Sequence, residues 1–147
     1  MKRFISICLT ILLLLAVNTS VELAQDGAQK NAVQNVVKTL FNYSKSKDFN
    51  KAAKLIAYEG DDQSRVYKDS YNPANKDEMN HVKRICKKIS ALMDISNSYE
   101  MGDFSVKKNP EGDHYVQEVL FVSGDQKLKT VFQFIQINGT YLLAAID

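Results

Sequence analysis

The sequence predicts an α+β protein in which N-terminal helices pack on a curved four-stranded antiparallel sheet. Before Tyr99, apolar residues recur at spacings of three and four, which is typical of helices; after it they follow strand patterns separated by turn sequences. The chain has 147 residues, 45% hydrophobic and 24% charged, which is a globular composition rather than a disordered or disulfide-rich one. A net charge of +2 gives no reason to expect nucleic acid as a partner.

The N-terminal segment has the layout of an export signal. Lys2 and Arg3 precede an apolar run from Ile5 to Val17. This run of about 13 residues is shorter than the roughly 20 that cross a bilayer as a helix. We therefore expect a signal peptide at residues 1–24, followed by a single domain at 25–147 that is periplasmic or secreted, with no stable membrane span after cleavage. An uncleaved N-terminal anchor is the alternative.

The helical half divides into three segments. A first helix is predicted from Ala28 to Ser46, and a second begins after Asp48, which is suited to cap it. The second is expected to keep Ile56 on its apolar side and to end at Gly60.

The third helix has the clearest start signal. Asn75 is a suitable N-cap, and Glu78 three residues later completes a pair that resembles a capping box. We expect this helix to end near Ser96 or Asn97, with Cys86 buried on its apolar stripe as an unreactive thiol. The basic residues between positions 83 and 88 are expected to form a solvated face.

Residues 57–75 form a long connection whose role the sequence leaves open. Tyr58, Tyr67 and Tyr71 interrupt an otherwise polar stretch. With Arg65 and Lys68, these tyrosines are expected either to form a lid over a pocket or to pack down and order the connection.

Four strands are predicted in the C-terminal half. They run from Tyr99 to Lys108, His114 to Ser123, Lys127 to Ile137 and Thr140 to Ile146. Asn138-Gly139 between the last two predicts a type I′ hairpin turn. The centres of the last three strands are apolar on both faces, so the face away from the helices also needs cover, from a pocket or from a second subunit. This pattern predicts a homodimer through the sheet.

Two stretches resemble the NTF2-like superfamily, whose members have a cystatin-like α+β roll. Phe41 to Ile56, with Asp48-Phe49 and the run Ala52 to Leu55, is similar to the opening helices of that family. Phe132 to Leu143 is similar to its closing hairpin, and within the family the chain resembles the small exported bacterial DUF4878-like proteins. The resemblance implies a pocket between sheet and helices, frequent dimers, and functions that include isomerases, cyclases and binding modules.

We expect a binding module that captures a small apolar ligand or an envelope protein partner, without a cofactor or a metal site. The alternatives are an isomerase- or cyclase-type enzyme and a self-associating part of an envelope assembly. Catalysis would need buried ionisable groups, for which Asp103, Glu118 and His114 are the candidates. The expected pocket or rim residues are Tyr58, Tyr67, Tyr71, Tyr99, Met101, Phe132, Phe134 and Tyr141.

Overall fold

The computed structural model describes residues 26–109 and 112–147. The expected signal peptide therefore lies outside the described residues. Residues 26–46 are helical (α1), and those from Ala32 onward belong to a compact unit, Ala32–Asp147, that holds every contact described below. The other elements are α2 (Phe49–Ala53), α3 (Lys76–Asp94), β1 (Ser98–Asn109), β2 (Gly112–Ser123), β3 (Gln126–Ile137) and β4 (Thr140–Ile146).

The strands form one antiparallel sheet in the order β1-β2-β3-β4, which confirms the predicted fold class and meander. Each predicted strand agrees with its observed bounds to within two residues. The turn between β3 and β4 has Asn138 at φ 49° and Gly139 at φ 78°, so both central residues adopt the left-handed conformation that a type I′ turn requires.

One face of the sheet packs against the helices around a core of aromatic rings. Phe41 of α1 lies 5.6 Å from Phe132 and 5.7 Å from Phe121, measured between ring centroids. Phe132 and Phe134 have no exposed surface. Side chains therefore fill the space between the sheet and the helices around Phe41. The resemblance had implied a pocket in this place.

Helix α1 ends in a Schellman motif. The Lys47 amide donates to the Ser44 carbonyl and the Asp48 amide donates to the Tyr43 carbonyl. Lys47 takes the left-handed position with φ 58°, where glycine is the usual residue. Asp48 then caps α2 by accepting from the Lys51 amide, as predicted.

Helix α2 is shorter than predicted, because its last apolar residue belongs to the sheet instead. It ends at Ala53, and Ile56 forms a parallel bridge with Leu143 of β4. The Leu143 amide donates to the Leu55 carbonyl at 2.8 Å, and the Ala57 amide donates to the Leu143 carbonyl at 2.8 Å. The expected helix end at Gly60 is therefore wrong.

Helix α3 begins as predicted and ends a little earlier. The Asn75 side chain accepts from the amides of Asp77 and Glu78, and Ile95 caps the C-terminus. Glu78 does not return the hydrogen bond to Asn75, as a capping box requires. Its carboxylate accepts from the Asn72 amide and from Arg65 instead, so that part of the prediction is wrong.

A β-bulge interrupts β1 between Met101 and Phe104. It brings Phe104 onto the core side and leaves Asp103 exposed, so Asp103 is not the buried ionisable group that catalysis would need. The fully buried Gln117 amide donates to the carbonyls of Gly102 (3.1 Å) and Asp103 (3.4 Å) at the bulge. No helix among the described residues is long and apolar enough to cross a membrane.

Candidate functional site

The connection after α2 is folded back on itself as a closed loop, residues 57–71. Ala57 and Ser70 form an antiparallel bridge, and the Tyr58 amide donates to the Asp69 carbonyl at 2.8 Å. The Tyr71 amide donates to the Ile56 carbonyl at 3.2 Å. These bonds join the two ends of the loop directly beside the bridge to β4.

Arg65 fills the centre of this loop. Its guanidinium lies 4.2 Å from the Tyr58 ring centroid and donates to Glu78 Oε1 at 2.8 Å. It also donates to Asp69 and to the Ser70 carbonyl. Cation–π stacking and a charge-assisted pair thus hold the loop to the start of α3.

The electrostatics of the loop follow from this arrangement. Burial alone would raise the pKa of Glu78, but hydrogen bonds from Arg65 and from the Asn72 amide outweigh it, so the pKa lies below its ordinary value of 4.5. Burial raises the pKa of Tyr71, whose ring packs 5.3 Å from that of Tyr58. The structure thus places Tyr58 and Tyr71 in a packed connection, which was one of the two roles left open.

Tyr67 differs from these two tyrosines because it points outward. It is 42% exposed and adopts φ 54°, a conformation that is rare for a bulky residue. Its amide donates to the Tyr58 carbonyl and its hydroxyl donates to Glu59 Oε1 at 3.1 Å. The backbone and the ring are therefore both held in place.

Tyr67 forms part of the wall of a cavity of about 500 Å³ between the loop and one end of the sheet. We call it the tyrosine cavity. It is lined by Val66, Tyr67, Lys68, Gly112, Asp113, His114, Tyr115, Ile135 and Gln136. Its volume lies in the range that small-molecule sites occupy.

On the sheet side of the tyrosine cavity, the lining residue Tyr115 packs against a second phenol, Tyr141, which lies outside the lining. The rings of Tyr115 and Tyr141 meet edge to face, 4.8 Å apart. Burial raises the pKa of both hydroxyls, and interaction with Tyr141 raises that of Tyr115 further. Both phenols are therefore protonated at neutral pH.

The residues predicted for a pocket are distributed over several environments. Tyr67 alone lines the tyrosine cavity, and Tyr141 is buried against the cavity residue Tyr115. Tyr99 is 38% exposed and packs on Phe41, 5.0 Å between centroids. Met101 is half-buried, Tyr58 and Tyr71 lie in the loop, and Phe132 and Phe134 lie in the core.

The candidate catalytic groups do not converge. Asp103 is exposed on the bulge, and Glu118 forms an ion pair with Lys129 at 3.0 Å. His114 is half-buried and lines the tyrosine cavity. In the part of the chain that the structure describes, no three side chains are grouped as a metal site.

Sequence reasoning did not assign Val66, Ile135 and Gln136 to a site. Val66 follows Arg65 in the loop, whereas Ile135 and Gln136 lie near the end of β3. Their proximity depends on how the loop folds back. The unusual concentration of tyrosines in residues 57–75 was the one available signal, and it identified Tyr67.

Comparisons with known proteins identify no relative by sequence. No family model and no curated protein match the chain. A solved structure whose title identifies it as a variant of Rd1NTF2_05 is similar, with 13% identity and a TM-score of 0.46. The match covers 81% of this chain and 97% of that one. The observed helices and strands themselves show the α+β class.

Proposed function

We propose that the protein is a non-catalytic binding module whose ligand occupies the tyrosine cavity. The observation that carries the proposal is Tyr67, a partly exposed aromatic side chain held at positive φ on the wall of this cavity. Such a conformation is costly for tyrosine, and strained residues cluster at binding sites where the surrounding structure holds them. The hydrogen bonds from Tyr67 to Tyr58 and Glu59 supply that support.

The lining indicates the class of ligand. The Tyr67 ring, Val66 and Ile135 offer apolar contacts, while His114 and Gln136 offer hydrogen-bonding groups. A small molecule with an aromatic or apolar body and a few polar atoms fits such a wall.

A titration with indole, monitored through ¹⁵N–¹H amide spectra, tests this proposal. Shift changes are expected at the amides of His114, Tyr115 and Ile135. Tyr67→Ala should weaken binding at least about fivefold through the loss of aromatic contact. Leu128→Ala, which truncates a comparably exposed side chain outside the cavity lining, should leave the affinity unchanged.

Two results would contradict the proposal. One is that indole shifts no amide of the tyrosine cavity at millimolar concentration. The other is that Tyr67→Ala binds indole as tightly as the wild type.

The isomerase- or cyclase-type alternative is supported by His114 alone. A catalyst of that kind needs an acid or base beside the bound substrate, and of the three candidates only His114 lines the tyrosine cavity. The assignment to an NTF2-like roll, and to the DUF4878-like proteins in particular, stays part of this proposal and is supported by the order of three helices followed by a four-stranded meander.

The proposal includes export and self-association. Export is supported by the sequence of residues 1–24, and the intact mass of the protein from its host tests it, because cleavage removes those residues. Self-association is supported by the sheet face opposite the main core, where Ile135 and Leu142 form a second apolar cluster with Ala57. Val116 and Val131 continue that face along β2 and β3.

A further inference from the structure

The loop contributes a segment of three residues, Val66 to Lys68, to the wall of the tyrosine cavity. Arg65 precedes this segment and Asp69 follows it. The two flanking side chains form an ion pair, with 3.1 Å between Arg65 Nε and Asp69 Oδ2. The wall segment is therefore enclosed between the members of an ion pair that lies outside the cavity lining.

Backbone hydrogen bonds make the wall segment part of a tight turn. The amides of Arg65 and Val66 both donate to the Asp62 carbonyl, at 3.0 and 3.2 Å. The Lys68 amide donates to the Arg65 carbonyl at 2.9 Å. Because these bonds tie the segment to the backbone of Arg65, the place of the wall segment depends on where Arg65 is held.

Arg65 is held by a residue outside the loop. Glu78 lies in the first turn of α3 and is buried, and its two oxygens accept from Arg65 Nη1 at 2.8 Å and from Nη2 at 3.4 Å. The Asn72 amide donates to the same carboxylate at 2.6 Å, which fixes the carboxylate in turn. A guanidinium bound at two points is fixed in orientation as well as in distance. Glu78 thus positions Arg65 without lining the cavity.

Two further contacts of Arg65 act in the same direction. The guanidinium lies 4.2 Å from the centroid of the Tyr58 ring, and Nη2 donates to the Ser70 carbonyl at 3.0 Å. Tyr58 is itself buried in the main core, so the surface on which the guanidinium rests is fixed. Arg65 therefore connects the cavity wall with α3 on one side and with the core on the other.

The conformation of Tyr67 makes this support necessary. A positive φ is rare for a bulky residue, and such a conformation persists only where the surrounding structure holds it. The hydrogen bond from the Tyr67 hydroxyl to Glu59 is exposed, so water competes for both groups. The placement of the Tyr67 ring consequently depends on the turn that Arg65 holds.

We propose that Arg65 and Glu78 are positioning residues for the ligand of the tyrosine cavity. Neither residue contacts the ligand. Their ion pair keeps Val66 to Lys68 in the conformation that presents the Tyr67 ring, so α3 controls the affinity of the cavity through Glu78. This inference rests on the proposed function. Without the pair, only a fraction of the molecules holds the binding conformation, and the apparent affinity falls by that fraction.

Indole titrations of two variants test the role of the pair. Arg65→Met should bind indole at least about fivefold more weakly than the wild type, because the wall segment loses its anchor. Glu78→Gln should bind it at least about threefold more weakly, since glutamine keeps an acceptor for Arg65 but loses the charge. Phe121→Leu is the matched control. It destabilises the core near the opposite end of β2 from Tyr115, and it should leave the affinity unchanged at a temperature where every variant is folded.

Amide hydrogen exchange in the ligand-free protein separates positioning from a general loss of stability. In Arg65→Met and Glu78→Gln, the Tyr67 amide should exchange at least about tenfold faster than in the wild type, because its bond to the Tyr58 carbonyl opens with the loop. Phe121→Leu should speed exchange in the core strands and leave the Tyr67 amide unchanged. The same exchange pattern in all three variants would overturn the positioning role.

The titration distinguishes a failure of this inference from a failure of the proposed function. If the wild type binds indole and Arg65→Met binds it equally tightly, the positioning role is overturned and the proposed function remains. If the wild type does not bind indole, the proposed function is overturned, and the inference with it. Equal losses of affinity in Arg65→Met and Phe121→Leu would show that affinity follows general stability, which also overturns the inference.

Discussion

Individual side chains decide how the loop after α2 is held. Arg65 contacts Tyr58, Asp69, Ser70 and Glu78, and its pair with Glu78 is largely withdrawn from water. A loop that presents Tyr67 in a strained conformation needs such an anchor.

Replacing Arg65 should therefore destabilise the protein strongly. In Arg65→Met, the mostly buried Glu78 carboxylate loses its guanidinium partner, and we expect a loss of about 2 kcal/mol in the free energy of unfolding. Urea denaturation measures this loss. Lys51→Met removes the exposed pair with Asp48 and should produce no measurable change. Comparable losses in the two variants would show that the Arg65 pair has no special role.

The ion pair between Arg65 and Glu78 also predicts that the protein loses stability in acid. The pKa of Glu78 is lowered in the folded protein, so its stabilising contribution is complete above its ordinary value of 4.5 and is lost as the pH falls through the folded pKa. Wild type and Glu78→Gln should consequently differ in unfolding free energy at pH 7, and the difference should shrink as the pH falls below 4.5 and through the folded pKa. A difference that is constant with pH would show that ionisation of Glu78 is not responsible.

The sequence predicted local side-chain roles better than distant ones. Asp48 and Asn75 act within three residues of their own positions, so a cap could be inferred from spacing alone. Glu78 satisfied the same local pattern, yet its carboxylate binds Arg65, 13 residues earlier. Whether the Glu78 carboxylate binds the Asn75 amide or Arg65 depends on how the loop folds. The spacing of residues along the sequence contains no information about this.

At the scale of elements, the bulge in β1 connects the sheet to α1. The Gln117 amide nitrogen donates to the bulge carbonyls, while its oxygen accepts from Gln34 of α1 at 3.1 Å. A buried glutamine in a strand is thereby explained as a link between two layers. The alternation of apolar and polar residues predicted the strand bounds. It did not reveal the extra residue at Gly102-Asp103 that shifts the register of β1.

Gln117→Leu should cost about 1–3 kcal/mol in the free energy of unfolding, because the bulge carbonyls and Gln34 lose their partner in a buried place. Urea denaturation of Gln126→Leu provides the control, since Gln126 is exposed at the start of β3. If both substitutions had the same small effect, the role given to Gln117 would be wrong.

At the scale of the whole molecule, the two faces of the sheet differ in what covers them. The face with Phe121 and Phe132 shares its core with Val37 and Val82 of the helices. In the second cluster, on the opposite face, Ala57 is the one buried residue from outside the sheet. The sequence predicted this two-sided apolarity, while the filled interior and the tyrosine cavity depend on tertiary packing.

Self-association through that second face makes a prediction of its own. Val131→Lys should convert a dimer to a monomer in sedimentation velocity, while the circular dichroism of the fold is retained, because a charge in an apolar interface is costly. Leu128→Lys, at an exposed residue of the opposite face, should leave the dimer intact. A wild-type protein that sediments as a monomer at high micromolar concentration would contradict the proposed association.

The parallel bridge between Ile56 and Leu143 has a consequence for biosynthesis. It joins residues that are far apart in the chain, and closing so long a separation is slow and entropically costly. During synthesis, the helices and the first three strands leave the ribosome before β4 does. Until β4 follows, the two ends of the 57–71 loop have no neighbouring strand to pair with. The loop is therefore attached to the sheet through Leu143 only after β4 has been synthesised.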